Sequence, residues 1–430
     1  MISRYQRERM TVLWSDQKKY ETWLQVELAI CHALVRQKIL SPHQFQAIKK
    51  KACFKAQDIL AEEKKSKHDV AAFVTVVSKK LGEEGRFFHY GVTSSDILDT
   101  SFGLLLKEAC EILLKDIKEL LHVLKSLAFK HKKTLMVGRS HGIHAEPTTF
   151  GLKCALWFAE MKRNEVRLLD AKSLISVGKI SGAVGTYAHL PSQVEKDVCE
   201  ELGLEPESIA TQVIQRDRHA QVFTTLAILA SSIEKVAVEI RHLQRTEVAE
   251  LSESFSKGQK GSSSMPHKKN PILSENLSGL ARLVRSYAQA SLENIALWHE
   301  RDISHSSVER VIAPDATSLV DFMLVRLSDL LKNLYVDPKK MLQNLNLTRG
   351  LIYSQKLLLV LIRKGLSREK AYEVVQSLSL QAHQDQQNFQ TLISKSSEIR
   401  SHLSDKEIKN IFHPQSYVQE VENTFKKVFS

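Results

Sequence analysis

Residues 216–257 read RDRHAQVFTTLAILASSIEKVAVEIRHLQRTEVAELSESFSK and contain neither glycine nor proline. The apolar residues of this stretch recur alternately four and three positions apart, as Val222, Leu226, Leu229, Ile233, Val236, Ile240 and Leu243. This spacing is typical of a narrow apolar seam on a helix that lies nearly parallel to its neighbours. At about 1.5 Å per residue, a helix of roughly 40 residues is about 60 Å long. Because one compact domain does not cover such a rod, the stretch predicts an oligomer whose subunits share the long helices.

Two further stretches, residues 104–137 and 152–177, also lack glycine and proline, and each predicts one long helix. The whole chain of 430 residues has only 16 glycines and 9 prolines, the two residues that helix interiors tolerate least. The predicted fold class is therefore all-α. We expect three helical domains: an N-terminal domain over residues 1–111, a central long-helix bundle over 112–364 and a C-terminal domain over 365–430.

The cysteine pattern and the lack of long apolar runs indicate in which cellular compartment the protein is expected. The five cysteines form no CxxC pair, which favours reduced thiols over a disulfide framework. The first residues, MISRYQRERM, do not read as a signal peptide, and no apolar run approaches the ~20 residues that cross a bilayer. We therefore expect a soluble, cytoplasmic protein without a membrane partner.

The formal net charge is +12, which could attract nucleic acid, an acidic membrane surface or a small polyanion. The lysines and arginines are scattered along the chain rather than gathered into an arm or tail. Most of them are therefore expected on solvated helix faces, with no nucleic-acid partner. A basic helical scaffold that binds nucleic acid remains the alternative from a different class of protein.

Four irregular segments interrupt the predicted helices and concentrate polar side chains, at residues 67–69, 91–96, 138–144 and 257–271. Loops on a rigid scaffold commonly carry binding and catalytic groups. In the last segment, KGQKGSSSMPHKKNP, Asn270 suits the N-cap of a helix and Pro271 its first position. Lys268 and Lys269 then lie beside the positive end of that helix, which favours binding a carboxylate or phosphate. A flexible surface loop with an ordinary cap is the alternative.

The segment GRSHGIH, residues 138–144, contains two histidines three positions apart, His141 and His144. HxxH spacing on a helix would suit zinc, but Gly138 and Gly142 disfavour a regular helix, and no acidic third ligand follows at motif spacing. We therefore expect no metal. An acid–base histidine fits better, because an imidazole can both give and take a proton near neutral pH. A histidine without a chemical role is the remaining alternative.

These segments together resemble a known family. GSSSMPHKKNP, residues 261–271, resembles the signature loop of the fumarase/aspartase superfamily of lyases, and GRSHGIHAEPTTFG, residues 138–151, resembles the motif of its adenylosuccinate lyase family. Further segments are similar to that family in the same order along the chain, namely Lys67-His68-Asp69, HYGVTSSD (89–96), QRDRHA (215–220) and WHERDISHSSVER (298–310). The resemblance extends over essentially the whole chain.

The resemblance implies a mostly helical three-domain fold whose long central helices form a 20-helix bundle in a homotetramer, with active sites shared between subunits. It implies elimination of fumarate from two nucleotides of purine biosynthesis. These are adenylosuccinate, which yields AMP, and succinyl-aminoimidazole-carboxamide ribotide. It implies no cofactor. Another lyase of the superfamily, such as argininosuccinate lyase, is the alternative within the same class.

The resemblance also implies catalytic roles. His141 is the general acid that protonates the leaving nitrogen, Ser262 is the general base that removes the carbon-bound proton, and Glu275 orients the catalytic histidine. A serine hydroxyl is too weakly acidic to be a ready base. This role therefore requires a closed loop in which Lys268 and the helix end stabilise an alkoxide.

The positions that match substrate-binding residues of the family are Arg4, Tyr5, Lys67, His68, Asp69, His89, Thr93, Ser94, Gln212, Ser263, Lys268, Lys269, Asn270, Asn276, Arg301, Ser306, Ser307, Val308, Glu309 and Arg310. A substrate with one phosphate and two carboxylates favours arginines and backbone donors. For Val308 and Glu309, a contribution through backbone or packing alone is the alternative.

The sequence departs from the family pattern at a few positions. Lys67 stands where arginine is usual, which replaces a planar fork by a point charge. Ser140, Ser264 and Lys269 stand where threonine, alanine and arginine are usual. None of these changes removes a group assigned to proton transfer, so activity is expected to survive.

Overall fold

A computed structural model of the chain describes residues 2–255, 264–265 and 267–430. Helices make up most of these residues, which confirms the all-α prediction. None of the helices that the structure describes combines the length and the apolar composition that a membrane span requires.

The α-helices are α1 Glu8–Leu13, α2 Asp16–Arg36, α3 Pro42–Lys51, α4 Ala56–Ser66, α5 Asp69–Leu81, α6 Ser94–Lys130, α7 Phe150–Ile175, α8 Ser192–Leu202, α9 Asp217–Gln244, α10 Ile272–Glu293, α11 Ser304–Lys332, α12 Pro338–Leu345, α13 Ser354–Arg363, α14 Arg368–Gln384, α15 Phe389–Lys395, α16 Ser397–Arg400, α17 Asp405–Ile411 and α18 Val421–Phe429. Short 3-10 helices lie at Ser3–Tyr5, Gly82–Phe87, Leu351–Tyr353 and Pro414–Tyr417. The strands form two-stranded pairs: β1 Leu135–Ser140 with β2 Ile143–Thr149, β3 Val177–Gly178 with β4 Glu205–Pro206, and β5 Leu251–Ser252 with β6 Tyr335–Val336.

The apolar seam predicted along α9 is buried, since each of its seven residues is at most 3% exposed. The helix nevertheless ends at Gln244, so the prediction of one helix through residue 257, which itself lies outside the described residues, is wrong. Ala249 has a left-handed backbone with φ +50°, and the Glu250 N–H donates to the Leu243 carbonyl at 2.9 Å. This turn directs the chain into β5 instead of a longer helix.

The first predicted long helix is displaced toward the N-terminus. α6 begins at Ser94, so residues 94–96 are helical rather than part of a loop. The Thr93 N–H donates to the Asp96 carboxylate at 2.8 Å, which is half of a capping box. After Lys130 the chain turns toward β1, so the predicted helix over residues 131–137 is wrong. The second predicted stretch, residues 152–177, corresponds to α7.

Residues 138–144 belong to a β-hairpin. β1 pairs antiparallel with β2, and His141 and Gly142 form the turn between them, with φ of +53° and +78°. Two left-handed residues in a two-residue turn are typical of type I′, whose twist matches that of the paired strands. The expectation that no regular helix forms here is confirmed, whereas the hairpin itself was not predicted.

The described residues form two compact units. The first unit comprises Met1–Glu119, Met161–Lys235 and Asn276–Leu327. Its main apolar core includes Tyr20, Phe73, Ile97 and Val198, which come from α2, α5, α6 and α8.

The second unit comprises Leu120–Glu160, Val236–Glu275 and Ser328–Ser430. Its core includes Leu357, Phe389 and Ile411, from the short helices near the C-terminus. The division into an N-terminal, a central and a C-terminal domain remains a prediction.

Gly151, the second residue of α7, packs directly against backbone. A Cβ added there would lie 2.5 Å from the Lys132 Cα and 2.7 Å from the Ala128 carbonyl oxygen. We expect Gly151→Ala to lower the free energy of unfolding by about 1–3 kcal/mol, because backbone atoms must move to admit the methyl group. Urea unfolding measures this loss. The control is Gly279→Ala within α10, where a new Cβ meets no atom of the described residues within 4 Å. It should be neutral or stabilising by up to about 1 kcal/mol, and equal losses in the two variants would contradict the close packing.

Candidate active site

A cavity of about 330 Å³ lies in the first unit. Part of its wall is apolar, formed by Leu13, Trp14, Trp23, Leu98, Phe102, Leu105 and Pro314. The rest is polar, formed by Asp16, Lys19, Asp69, Ser95, Asp99, Ser101, Arg216, Arg301, His305, Ser306, Glu309 and Arg310. Five predicted binding residues therefore meet at one cavity: Asp69, Arg301, Ser306, Glu309 and Arg310. The mixed lining suits a ligand with an apolar ring and anionic groups.

Arg216, which directly precedes α9, centres a buried ion network at this cavity. Its Nη1 and Nη2 donate to the two Asp99 carboxylate oxygens at 2.7 and 2.9 Å. Its Nε and Nη2 donate to the Glu309 carboxylate at 3.0 and 3.2 Å, and Nη1 also donates to the Ile214 carbonyl at 2.7 Å. One planar guanidinium thus holds carboxylates from α6 and α11, which the point charge of a lysine could not do.

Burial and charge shift the pKa values of this network in different directions. Burial raises the pKa of Asp99, but the charge and hydrogen bonds of Arg216 outweigh it, so the pKa of Asp99 is lowered. Burial raises the pKa of Glu309 to about 7, although Arg216 opposes the rise. Burial, and then the charge of Arg216, lowers the pKa of His305 to about 4 and that of His219 to about 3. Both imidazoles are therefore neutral at physiological pH and can serve as hydrogen-bond partners there.

Arg301 and Arg310 bring positive charge to the cavity around the start of α11. Arg301 Nη1 donates to Gln212 Oε1 at 2.9 Å, so these two predicted residues are in contact. Arg310 Nη2 donates to the Asp69 carboxylate at 2.5 Å, while the Arg310 side chain stays 59% exposed. A guanidinium that is oriented by a carboxylate and still open to solvent can bind an incoming anion.

The polar groups of Glu309 and Ser307 are already hydrogen-bonded within the protein, and Val308 has no polar side chain. The Glu309 carboxylate is occupied by Arg216, which supports the alternative that this residue contributes position and packing. Ser307 is exposed, and its hydroxyl donates to the Ser304 carbonyl at 3.2 Å. Val308 is half-buried.

Arg4 and Tyr5 lie in the first 3-10 helix of the same unit. The Tyr5 hydroxyl accepts a hydrogen bond from Asn276 Nδ2 at 3.3 Å, and Asn276 Oδ1 accepts one from Arg326 Nη1 at 2.9 Å. Two predicted residues, Tyr5 and Asn276, are therefore in contact, and the Asn276 amide supports the tyrosine. Arg4 is exposed.

Lys67 and His68 connect α4 to α5. Lys67 ends α4 with a left-handed backbone of φ +56°. His68 is the N-cap of α5, and its Nδ1 accepts a hydrogen bond from the Ala71 N–H at 3.2 Å. Both side chains are exposed, so either could meet a ligand from solvent.

His89, Thr93 and Ser94 lie just before or at the start of α6. His89 Nδ1 is 2.6 Å from a carboxylate oxygen of Glu27, which is fully buried. Burial lowers the pKa of His89, but the hydrogen bond and charge of Glu27 outweigh it, so the pKa is raised. A raised pKa favours the charged form of the imidazole, and that form suits contact with a phosphate.

The hairpin that carries His141 is fixed within the second unit by a buried ion pair. Arg139 Nη1 and Nη2 donate to the Glu250 carboxylate at 3.1 and 2.6 Å, and Asn344 Nδ2 donates to the same carboxylate at 2.8 Å. Glu250 is fully buried. His141 itself occupies the hairpin turn with its side chain exposed, whereas His144 lies in β2 opposite Arg139.

The described part of the signature loop leads into α10, which begins at Ile272, one residue after Pro271. The Leu273 and Ser274 N–H groups donate to the Glu253 carboxylate at 3.0 and 2.8 Å. An internal carboxylate therefore already lies at the positive end of this helix. Lys268 and Lys269, which are exposed, add positive charge just before this helix.

Four further predicted site residues lie in the signature loop or at the start of α10, and the structure describes two of them. Glu275 is exposed in the first turn of α10, and Asn270 is half-buried just before it. Ser262 and Ser263 lie outside the described residues.

Several residues of the cavity were not predicted from the sequence: Trp14, Lys19, Asp99, Arg216 and His305. Arg216 and His305 belong to the motifs QRDRHA and WHERDISHSSVER, so membership of those motifs could have identified them. Trp14, Lys19 and Asp99 had no such signal, because only the folded chain brings them to the cavity.

Comparisons with known proteins agree with this architecture. The family model described as lyase matches residues 4–286, and the one described as adenylosuccinate lyase C-terminus matches residues 350–428. The chain is 50% identical over 428 residues to the adenylosuccinate lyase of Bacillus subtilis (strain 168), covering 100% of this chain and 99% of that protein. It is 48% identical over 432 residues to that of Aquifex aeolicus (strain VF5), with the same coverage. A solved fumarate lyase from Mesorhizobium sp. BNC1 superposes with a TM-score of 0.91 at 26% identity, covering 100% of this chain and 99% of that one.

The long-helix fold and the family match over residues 4–286 make this protein a lyase. Over its full length the chain is 50% and 48% identical to two proteins named adenylosuccinate lyase. The chain belongs to the adenylosuccinate lyase family, as its motifs predicted.

Replacing Arg216 with methionine keeps most of the side-chain volume and removes the charge. We expect the free energy of unfolding to fall by about 3–5 kcal/mol, because two buried carboxylates lose their partner. Denaturant titration measures this. Arg285→Met is the control, since Arg285 is 40% exposed in its pair with Glu234 and should contribute less than about 1 kcal/mol. Similar losses in the two variants would be inconsistent with a network that depends on burial.

Proposed function

We propose that this chain eliminates fumarate from adenylosuccinate, giving AMP, and from succinyl-aminoimidazole-carboxamide ribotide, in purine nucleotide biosynthesis. The observation that carries the proposal is identity of 50% over the full length with a protein named adenylosuccinate lyase. The cavity supports it, because both substrates carry one phosphate and two carboxylates, and Arg301 and Arg310 bring positive charge to its wall.

The proposed reaction breaks a carbon–nitrogen bond by β-elimination. A base removes a proton from the carbon beside one carboxylate, the electron pair forms the double bond of fumarate, and an acid protonates the departing nitrogen. The carbanion is stabilised when its charge spreads into the adjacent carboxylate, so fixed hydrogen-bond donors aimed at that group accelerate the step. The sequence of steps transfers no electrons to a carrier, and the proposal includes no cofactor and no metal.

His141 is the proposed general acid and Ser262 the proposed general base. The position of His141 supports its role, since its side chain is exposed at the turn of a hairpin whose strand is held by the Arg139–Glu250 pair. A fixed backbone with an accessible imidazole is suited to proton transfer. Ser262 lies outside the described residues, and its role rests on the motif GSSSMPHKKNP. In the same proposal Glu275 orients the histidine.

The proposed binding residues form two groups, which bind the anionic and the neutral parts of the substrate. Arginine, lysine and histidine side chains bind the phosphate and carboxylates, and hydroxyl and amide groups bind the ribose and base. The set is Arg4, Tyr5, Lys67, His68, Asp69, His89, Thr93, Ser94, Gln212, Ser263, Lys268, Lys269, Asn270, Asn276, Arg301, Ser306, Ser307, Val308, Glu309 and Arg310. Among these, Glu309 contributes by holding Arg216, which donates hydrogen bonds to its carboxylate.

The proposed assembly is a cytoplasmic homotetramer in which subunits share active sites. Apolar residues that remain exposed on a long helix support it. Along α7, Val166, Leu169 and Leu174 are 53%, 46% and 43% exposed. Helices of neighbouring subunits would cover such residues.

Purified protein should release fumarate from adenylosuccinate and not from argininosuccinate, followed by the absorbance of fumarate and by chromatography of the nucleotide. The control substrate contains the same succinyl group without a purine nucleotide. Turnover of argininosuccinate alone would refute the substrate assignment.

We expect His141→Ala and Ser262→Ala each to lower kcat by at least about 10²-fold, as is typical when a general acid or base is lost. His141→Asn is a second test, because asparagine tolerates the left-handed backbone of the turn better than alanine. Steady-state rates on adenylosuccinate provide the measurement. The matched controls are Ser264→Ala, which restores the residue usual in the family, and His43→Ala on the exposed surface of α3. A near-normal kcat in a variant of residue 141 or 262 would remove that residue from the mechanism.

A further inference from the structure

Two arginines that follow the first 3-10 helix converge on two acidic side chains of the first unit. Arg7 Nη1 donates to Asp321 Oδ1 at 2.9 Å and to Asp116 Oδ2 at 3.3 Å. Arg9 Nε and Nη2 donate to the same Asp321 oxygen at 3.2 and 3.1 Å, and Arg9 Nη2 also donates to Asp116. The residues in these contacts are separated by more than 100 positions along the chain, so the cluster joins distant segments.

The two aspartates are not an ordinary surface pair. Asp321, in α11, is fully buried, and Asp116, in α6, is 7% exposed. Burial and then the neighbouring Asp116 raise the pKa of Asp321, while Arg7 and Arg9 oppose that rise. Two carboxylates held together away from water need opposite charge beside them, and in the described residues the N-terminal arginines supply it.

The segment that these arginines fasten also carries Arg4 and Tyr5. The Tyr5 ring packs edge-on against Phe322, the residue after Asp321, with centroids 5.2 Å apart. Its hydroxyl is held by Asn276. α11 therefore holds this segment at two points, through Asp321 and through Phe322. Arg4 stays exposed.

We propose that Asp116 and Asp321 are positioning residues for nucleotide binding, because by holding Arg7 and Arg9 they fix the segment that presents Arg4 and Tyr5 to the anionic substrate. This inference rests on the proposed function, in which Arg4 and Tyr5 bind that substrate. The aspartates touch neither the substrate nor the groups that transfer protons. They keep the binding segment ordered before the substrate arrives. Because less conformational freedom is then lost on binding, the entropy cost of binding is lower.

Asp321→Asn tests the proposal, since asparagine keeps the shape and removes the charge that attracts both arginines. We expect KM for adenylosuccinate to rise about 10-fold with kcat within about twofold, the pattern for loss of ground-state and transition-state binding alike. The control is Asp197→Asn, another buried aspartate paired with an arginine, Arg36, outside this segment. It should leave KM unchanged. A fall in kcat at constant KM, or the same KM change in the control, would overturn the positioning role.

A second measurement does not depend on turnover. Amide hydrogen exchange in residues 3–13 should become about 10-fold faster in Asp321→Asn than in the unmodified chain, while exchange in α8 stays the same. If Asp321→Asn does not fold, Asp116→Asn, with its more exposed carboxylate, replaces it in both assays. Unchanged exchange in this segment would overturn the inference even if the enzyme is active. Faster exchange in Asp321→Asn, together with no turnover of adenylosuccinate by the unmodified chain, would instead reject the proposed function and keep the role of the two aspartates in holding the segment.

Discussion

The site in the first unit depends on the burial of one guanidinium between two carboxylates. Arg216 donates all five of its N–H groups, to Asp99, Glu309 and the Ile214 carbonyl, so no charge in this cluster is left without a partner. Buried charges are tolerated only on that condition. Because Asp99 belongs to α6 and Glu309 to α11, the same bonds set where the start of α11 lies, and with it the cations that line the cavity.

The same physical arrangement recurs at two irregular segments. The hairpin of His141 is fixed by Arg139 on the buried Glu250, and the N-terminal segment is fixed by arginines on the buried Asp321. In each case the carboxylate lies in the rigid interior and the arginine on the segment to be placed. The planar fork defines an orientation as well as a distance, which a single hydrophobic contact does not.

Helices and loops have different structural roles here because their backbone N–H and C=O groups are satisfied in different ways. Long helices satisfy their own N–H and C=O groups and need only an apolar partner along one stripe, so they form a stiff support. The helix ends and the loops leave backbone groups that other atoms must satisfy. At α10 the Glu253 carboxylate fills this role for Leu273 and Ser274, and the exposed Lys268 and Lys269 add positive charge just before the helix.

The sequence by itself determined the helical class and the long seam of α9, because the spacing of apolar residues and the scarcity of glycine and proline act through local backbone preference. Its motifs also predicted residues of a site, and among them Asp69, Arg301 and Arg310 line the cavity of the first unit. Only the tertiary structure decided where α9 ends, since the turn at Ala249 and the ion pair of Glu250 override the helix preference of the residues that follow. It also decided that the Glu309 carboxylate accepts hydrogen bonds from Arg216. These outcomes depend on contacts between residues far apart in the chain, whose energy no local pattern encodes.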